Sequence, residues 1–185
     1  STTHFTIVDD EGNVVTMTSS IESAFGSRQF VKGFFLNNQL TDFSFIPQRD
    51  GVPIANRVQA GKRPRSSMAP TIVFKGRYWG GPFLAALGSP GGSRIIGYVT
   101  KTLVALLDWG LLPADAIALP HFVNRNGPTE LEQGTTAEGL LEALETLGHR
   151  VKIVPLTSGL HVIKRVKDGY VGGADARREG VVLGD

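Results

Sequence analysis

Thr2 sits in a hydroxyl-rich start, Ser1-Thr2-Thr3-His4. A threonine whose own α-amine is free carries a nucleophile and a base in one residue. That amine, with a pKa of roughly 8, can take the hydroxyl proton directly or through one water. Such chemistry needs exposure by cleavage and a strand end to hold the residue. The same residues also suit plain strand filler. A second hydroxyl run, Thr16, Thr18, Ser19 and Ser20, follows at hairpin distance, so Ser20 or Thr18 could hydrogen-bond such a nucleophile.

Three further groups carry chemistry by type and spacing. Gly88-Ser89-Pro90-Gly91-Gly92-Ser93 precedes a helical pattern. Successive glycines there let backbone amides point into a cavity, where they suit an oxyanion or a phosphate, or form a plain strand-to-helix turn. No Lys-Ser/Thr pair follows, so a P-loop is unsupported, and the glycine spacing fails a dinucleotide fingerprint. Lys62-Arg63-Pro64-Arg65-Ser66-Ser67 sets two serines beside three cations, which suits a carboxylate ligand or a solvated loop. Asn37 to Asp42 offers many hydrogen-bonding groups after an apolar piece. With Glu22 it could hold an ammonium, or it could be a turn with Asx-type bonds. His4, His121, His149 and His161 have no metal-ligand spacing, and His149 is expected at a helix C-terminus.

The elements that must position these groups read as follows. Thr2–Val8 and Val14–Thr18 form a hairpin about the Asp9–Asn13 turn. Residues 33–36 are a third apolar piece. From Ile46 to Pro64 periodicity is lost, giving a loop long enough to be functional. Thr71–Phe74 and Phe83–Leu87 read as buried strands around a turn at Lys75-Gly76-Arg77. Residues 95–109 suit a helix ended by Gly110. Residues 136–147 suit a second, with Leu140, Leu141, Leu144 and Leu147 on one face and Gly148 as its stop. Residues 151–154, 159–166 and 171–172 read as closing strands, with a turn at Asp168-Gly169. The expected class is α+β, one domain over 1–185.

Composition narrows the field. With 19 Lys and Arg against 17 Asp and Glu, the net charge is +2, and no basic run exists to bind nucleic acid or an anionic surface. Zero Cys excludes disulfides, thiolate metal sites and a cysteine nucleophile. Gly (23) and Pro (10) make about 18 % of the chain against roughly 12 % in average usage, which predicts many tight turns and functional loops. No apolar stretch approaches the roughly 18 residues of a membrane span. A start at Ser1 without Met raises two expectations, a cut fragment or an amino terminus made by proteolysis.

Taken together, the pieces resemble the small subunit of the γ-glutamyltranspeptidase family. The first block is Thr2-Thr3-His4, then Gly12-Asn13-Val14-Val15-Thr16-Met17-Thr18-Ser19-Ser20-Ile21-Glu22 and Phe25-Gly26. In order follow Leu36 to Ser44, Lys62 to Thr71, and Gly88 to Arg94. Asp108-Trp109-Gly110, Ala118-Leu119-Pro120-His121-Phe122 and Gly173 to Arg178 extend the match over the whole chain.

The resemblance implies an N-terminal nucleophile hydrolase with an αββα four-layer sandwich. This chain would supply part of it, and a large subunit cut from the same precursor would complete it. It implies Thr2 as nucleophile, Ser20 as its hydroxyl partner, and Gly91 and Gly92 as oxyanion-hole amides. Ser66 and Ser67 would bind the α-carboxylate of a γ-glutamyl group, while Gln39, Asp42 and the neighbouring Glu22 would hold its α-amino group. The implied substrates are glutathione or other γ-glutamyl amides, with an amino acid, a peptide or water as acceptor. No cofactor, metal or nucleic acid is implied, and relatives suggest a periplasmic or secreted address. Glu22 departs from the usual Asn, and residues 45–61 lack the Tyr of a longer covering loop, which favours water as acceptor or bulky acyl groups. Cleavage before Thr2 would place Ser1 on the other side of the cut, whereas a cut displaced by one residue would leave Ser1 as the terminal hydroxyl nucleophile or an inactive product. A cephalosporin (glutaryl) acylase or a non-catalytic homologue is the alternative.

Overall fold

The computed structural model describes residues 1–76 and 80–184, so the expected turn at Lys75-Gly76-Arg77 falls partly outside the described residues, at Arg77. Contacts gather into two compact units. The smaller comprises Ser1–Thr2 and Ser19–Ser67, the larger Thr3–Thr18 and Met68–Asp185.

Strands β1 (Thr2–Val8) and β2 (Val14–Ser20) pair as a hairpin, as the alternation predicts. The Asp9 carboxylate closes its turn by accepting from the backbone and side-chain amides of Asn13, at 2.7 and 2.8 Å. Its pleat is inverted relative to ordinary amphipathic strands. His4, Thr6, Thr16 and Thr18 face inward, whereas Phe5, Ile7, Val15 and Met17 are exposed.

The larger unit is built on an antiparallel sheet in the order β13-β12-β8-β7, from β7 (Thr71–Phe74), β8 (Phe83–Gly88), β12 (His161–Val166) and β13 (Gly169–Ala174). Helix α1 (Ile95–Leu107) lays Ile95, Tyr98, Val99, Thr102, Ala105 and Leu106 into the core, the 3-4 spacing of an amphipathic helix. These residues pack with Leu87, Leu160 and Val162, and with Ile117 of α2 (Pro113–Ala118). Proline at its start suits α2, because the first turn has no use for that amide. The helix is only six residues long, too short for periodicity to reveal.

A second sheet joins β9 (Phe122–Asn124), β10 (Thr129–Glu132) and β11 (Val151–Val154), with β10 antiparallel to β9 and parallel to β11. Charge in β10 hides it from a hydropathy reading. Glu130 and Glu132 are acceptable there because both are paired with arginines.

Three expectations need correction. Residues 136–147 are a 3-10 turn, Thr136–Leu140, followed by α3 (Leu141–Thr146). Leu140 and Leu147 are 47 % and 76 % exposed, so the leucine face is not a core face. Gly139 inside the pattern weakens a regular helix. The last hairpin turns at Lys167-Asp168, one residue earlier than read, because Val166 pairs with Gly169. Helix α1 ends at Leu107, leaving Trp109 exposed.

The smaller unit holds two hairpins, β3 (Phe30–Val31) with β4 (Phe34–Phe35), and β5 (Gln48–Arg49) with β6 (Val52–Pro53). The stretch read as aperiodic therefore contains β5 and β6. Their turn, Asp50-Gly51, has φ of 50° and 77°, the left-handed pair that tight hairpins require. Among the described residues, no helix is long and apolar enough to cross a membrane.

Candidate active site

In the smaller unit, the start of β1 meets the end of β2. Thr2 Oγ1 lies 2.9 Å from Ser20 Oγ. Ser20 Oγ also accepts the Glu22 amide at 3.0 Å and lies 3.4 Å from the Ser1 carbonyl as a donor. The Ile21 amide donates to the Ser1 carbonyl at 2.9 Å, so the carbonyl preceding Thr2 is both held and polarised. Of the two hydroxyls that could partner Thr2, Ser20 does so; Thr18 Oγ1 lies instead 2.8 Å from His4 Nδ1.

Glu22 adopts φ +65°, a left-handed conformation uncommon outside glycine. Its carboxylate accepts from the Ser23 hydroxyl and from Asn38 Nδ2, both at 2.6 Å. Those bonds, Ser23 first, hold its pKa below the usual carboxylate value. Asn38 also donates to Thr41 Oγ1 at 3.2 Å and accepts the Ser23 amide at 3.0 Å. Sequence reasoning placed Asn38 only in a polar run and missed it as the residue that orients Glu22. The Asn37-Asn38 pair at the start of a tight turn was the available signal.

Gln39 and Asp42 bound one 3-10 turn, and Gln39 Nε2 donates to Asp42 Oδ2 at 2.5 Å. The turn is anchored by Asn56, whose amide donates to the Asp42 carbonyl at 2.7 Å. This leaves Asp42 half-buried with its other carboxylate oxygen available as a cation acceptor. Ser66 is exposed and Ser67 half-buried, in a run without regular secondary structure.

In the larger unit, Gly91 and Gly92 lie between β8 and α1 with φ of +139° and +59°. Both values favour glycine, and at Gly91 a side chain would also meet the Tyr98 ring at 2.6 Å. The turn's hydrogen bonds run from Arg94 to the Gly91 carbonyl and from Ile95 to the Gly92 carbonyl, so they use the glycines' carbonyls. Ser93 is held by Arg125 at 2.6 Å, and Glu130 joins Arg125 to Arg94.

His4 is buried against the last residue of β8, and a Cβ on Gly88 would stand 2.2 Å from the ring. Its Nε2 lies 3.1 Å from Thr6 Oγ1 and 3.2 Å from Thr16 Oγ1. Burial, then the nearby His161, lowers its pKa to about 4, so the ring is neutral at pH 7. His149 does not cap α3 through its ring, as Nδ1 lies 3.0 Å from Thr129 Oγ1.

Known proteins resemble this chain over most of its length. The family model described as gamma-glutamyltranspeptidase matches residues 1–185. The chain is 38 % identical over 189 residues to the glutathione hydrolase proenzyme of Bacillus subtilis, covering 99 % of this chain and 30 % of that protein. It therefore spans about a third of the length of that relative. Among solved structures, a chain of the γ-glutamyltranspeptidase of Helicobacter pylori is 31 % identical with a TM-score of 0.83, covering 95 % of this chain and 100 % of that one. A cephalosporin acylase of Bacillus halodurans has a TM-score of 0.82 at 24 % identity, covering 97 % of this chain and 33 % of that one, a likeness of fold alone. The α+β fold is that of these N-terminal nucleophile hydrolases, and the chain belongs to the γ-glutamyltranspeptidase family.

Proposed function

We propose that this chain is the catalytic small subunit of a self-processed enzyme that hydrolyses or transfers γ-glutamyl groups, with glutathione as a representative substrate. The observation that carries the reading is the Thr2–Ser20 hydroxyl pair at the mouth of the β1–β2 hairpin.

Cleavage of the Ser1–Thr2 peptide frees the Thr2 amine. That amine takes the proton of Oγ1 as the oxygen attacks the γ-carbonyl carbon. The tetrahedral oxyanion is assigned to the amides of Gly91 and Gly92. The leaving amine departs with the proton, giving a γ-glutamyl ester on Thr2. Water, or the amine of an amino acid or peptide, then attacks that ester and regenerates the hydroxyl.

The α-ammonium of the donor is assigned to Asp42, with Gln39 and Glu22 beside it, and the α-carboxylate to Ser66 and Ser67. Glu22 already accepts from Ser23 and Asn38, so it contributes negative field more than a free ligand oxygen. A glutaryl group has no α-ammonium and would leave Asp42 unpaired, which disfavours an acylase for such side chains. The absence of Tyr from residues 45–61 supports water as the preferred acceptor.

A large subunit from the same precursor is the partner. Exposed Phe5, Ile7, Val15 and Met17 form an apolar strand face, and the chain spans only 30 % of its Bacillus subtilis relative. A periplasmic or secreted address belongs to the same reading.

The test uses the full-length precursor, expressed and purified, with a chromogenic γ-glutamyl anilide and amino-terminal sequencing of the small chain. Anilide release together with a sequence beginning at Thr2 supports the proposal. An intact Ser1–Thr2 bond in an active preparation, or a cleaved preparation without turnover, overturns it.

A further inference from the structure

Beneath the Gly91–Gly92 turn lies a polar chain in the core of the larger unit. Ser158, His121 and Asp175 are respectively 0 %, 1 % and 2 % exposed. Asp175 Oδ2 accepts from the Ser158 hydroxyl and from the Leu160 amide at 3.2 Å, while Oδ1 accepts the Arg177 amide at 3.0 Å. Burial pushes the Asp175 carboxyl up, but the Ser158 bond and these amides outweigh it, so its pKa lies below the ordinary value.

The protons can then be assigned. An ionised carboxylate only accepts, so Ser158 donates its one proton to Asp175. Ser158 Oγ is 2.6 Å from His121 Nε2, which must therefore be the donor of that pair. The ring carries its proton on Nε2, leaving Nδ1 as a buried acceptor with no partner among the described residues. Burial, then the charges of Lys101 and Arg177, lowers the His121 pKa to about 3, consistent with a neutral ring. An ordered polar chain with one orphaned atom is a poor way to stabilise a core, since apolar residues would avoid that cost. Its geometry points elsewhere.

Two routes lead from it to the glycine turn. Next to Ser158, the Gly159 amide donates to Ser89 Oγ at 3.1 Å, and Ser89 Oγ donates to the Pro90 carbonyl at 2.6 Å. Gly159 is also pressed against the Pro90 ring, where a Cβ would come within 2.7 Å of Cγ. On the other side, the His121 ring lies 4.3 Å from the ring of Tyr98, which occupies the space beside Gly91. The segment leading into Gly91 thus rests on the residue beside Ser158 through the Gly159 amide, and the wall behind Gly91 rests on His121 through a ring contact.

We propose that Ser158, fixed between Asp175 and His121, is a positioning residue that sets the conformation of the Gly91–Gly92 turn. The catalytic consequence rests on the reading above, in which those amides receive the oxyanion. Such amides act in the transition state and not on the ground-state substrate. Loosening them should therefore lower kcat with little change in KM.

The experiment compares the wild-type precursor-derived protein with Ser158→Ala and with Ser89→Ala, which interrupts only the outer link and leaves the buried chain intact. Amide hydrogen exchange is followed in the peptide spanning residues 91–94, where the Arg94 amide closes the turn on the Gly91 carbonyl, and in β3–β4, which share no bond with the Ser158 chain, as reference. Both variants should exchange at least about tenfold faster at 91–94 with the reference unchanged. On the γ-glutamyl anilide, kcat should fall about ten- to a hundredfold with KM within about twofold. Unchanged exchange at 91–94, acceleration spread equally over the reference strands, or undiminished kcat overturns the positioning role. A wild-type protein that hydrolyses no anilide overturns the proposed activity instead, and the exchange comparison still decides whether Ser158 holds the turn.

Discussion

The Thr2 hydroxyl lies 2.9 Å from that of Ser20, which accepts the Glu22 amide from its other side. The Ser20 proton has two acceptors in reach, Thr2 Oγ1 at 2.9 Å and the Ser1 carbonyl at 3.4 Å, and cutting the Ser1–Thr2 peptide would leave Thr2 Oγ1 as its acceptor. A donor there orients the threonine oxygen and leaves its own proton directed away, toward a base. Ser20→Ala should lower kcat about a hundredfold, while Ser20→Thr, which keeps a hydroxyl, should retain most activity. Steady-state kinetics on a γ-glutamyl anilide separates the two, and equal losses in both variants would count against the assigned role.

The role proposed for Thr2 has a second consequence, because on that reading the Ser1–Thr2 peptide is cut to free its amine. The Ser1 carbonyl is held by the Ile21 amide at 2.9 Å, so the bond is presented in one conformation. Thr2→Ala should leave the precursor as one uncut chain with no turnover. Gel electrophoresis shows the first and the anilide assay the second. Cleavage or turnover surviving in this variant would reassign the nucleophile.

Asp42 offers a carboxylate steadied by Gln39 Nε2 at 2.5 Å and by a backbone anchor from Asn56. If it binds the donor's α-ammonium, Asp42→Asn removes one charge of an ion pair and keeps the shape. KM for γ-glutamyl donors should rise about ten- to a hundredfold, since hydrogen bonds between charged groups contribute about 1.5–3 kcal/mol. A donor with no α-ammonium, such as a glutaryl anilide, should show no such rise. A rise for both would mean that Asp42 shapes the pocket and does not recognise the amine.

Much of this was legible in the residues, and for reasons that differ by element. The β1–β2 hairpin announces itself by strict alternation and the Asp9–Asn13 turn. The Gly91–Gly92 turn shows because the φ of +139° at Gly91 is closed to other residues and the +59° at Gly92 favours glycine. What stayed hidden depends on partners distant in the chain. Glu132 in β10 looks like surface until Arg177, 45 residues on, bonds both of its carboxylate oxygens. Asn38 needs Glu22 to give it meaning, and Glu22 needs a left-handed backbone that sequence does not declare. The leucines of 136–147 misled because helical spacing says which residues share a face, not whether anything covers that face. The β5–β6 hairpin was readable in principle from Asp50-Gly51, a strong turn pair, but its strands are two residues each, too short for alternation to register.

Two buried histidines make stability depend on pH in a definite direction. The pKa values of His4 and His121 lie at about 4 and about 3 in the folded protein, against 6.5 for the free side chain. Between those values and 6.5 the unfolded chain binds more protons than the folded one, so stability rises with pH there and is lost as pH falls. The loss begins near pH 6.5 and continues down to the folded pKa of each ring, beyond which it levels off. At pH 5 each histidine should cost about 2 kcal/mol relative to pH 7 or above. Urea unfolding at pH 7 and pH 5 checks the sum, and His4→Gln should remove about half of the difference. A midpoint that does not move between these values would mean that one or both rings gain solvent or a carboxylate partner in the assembled protein.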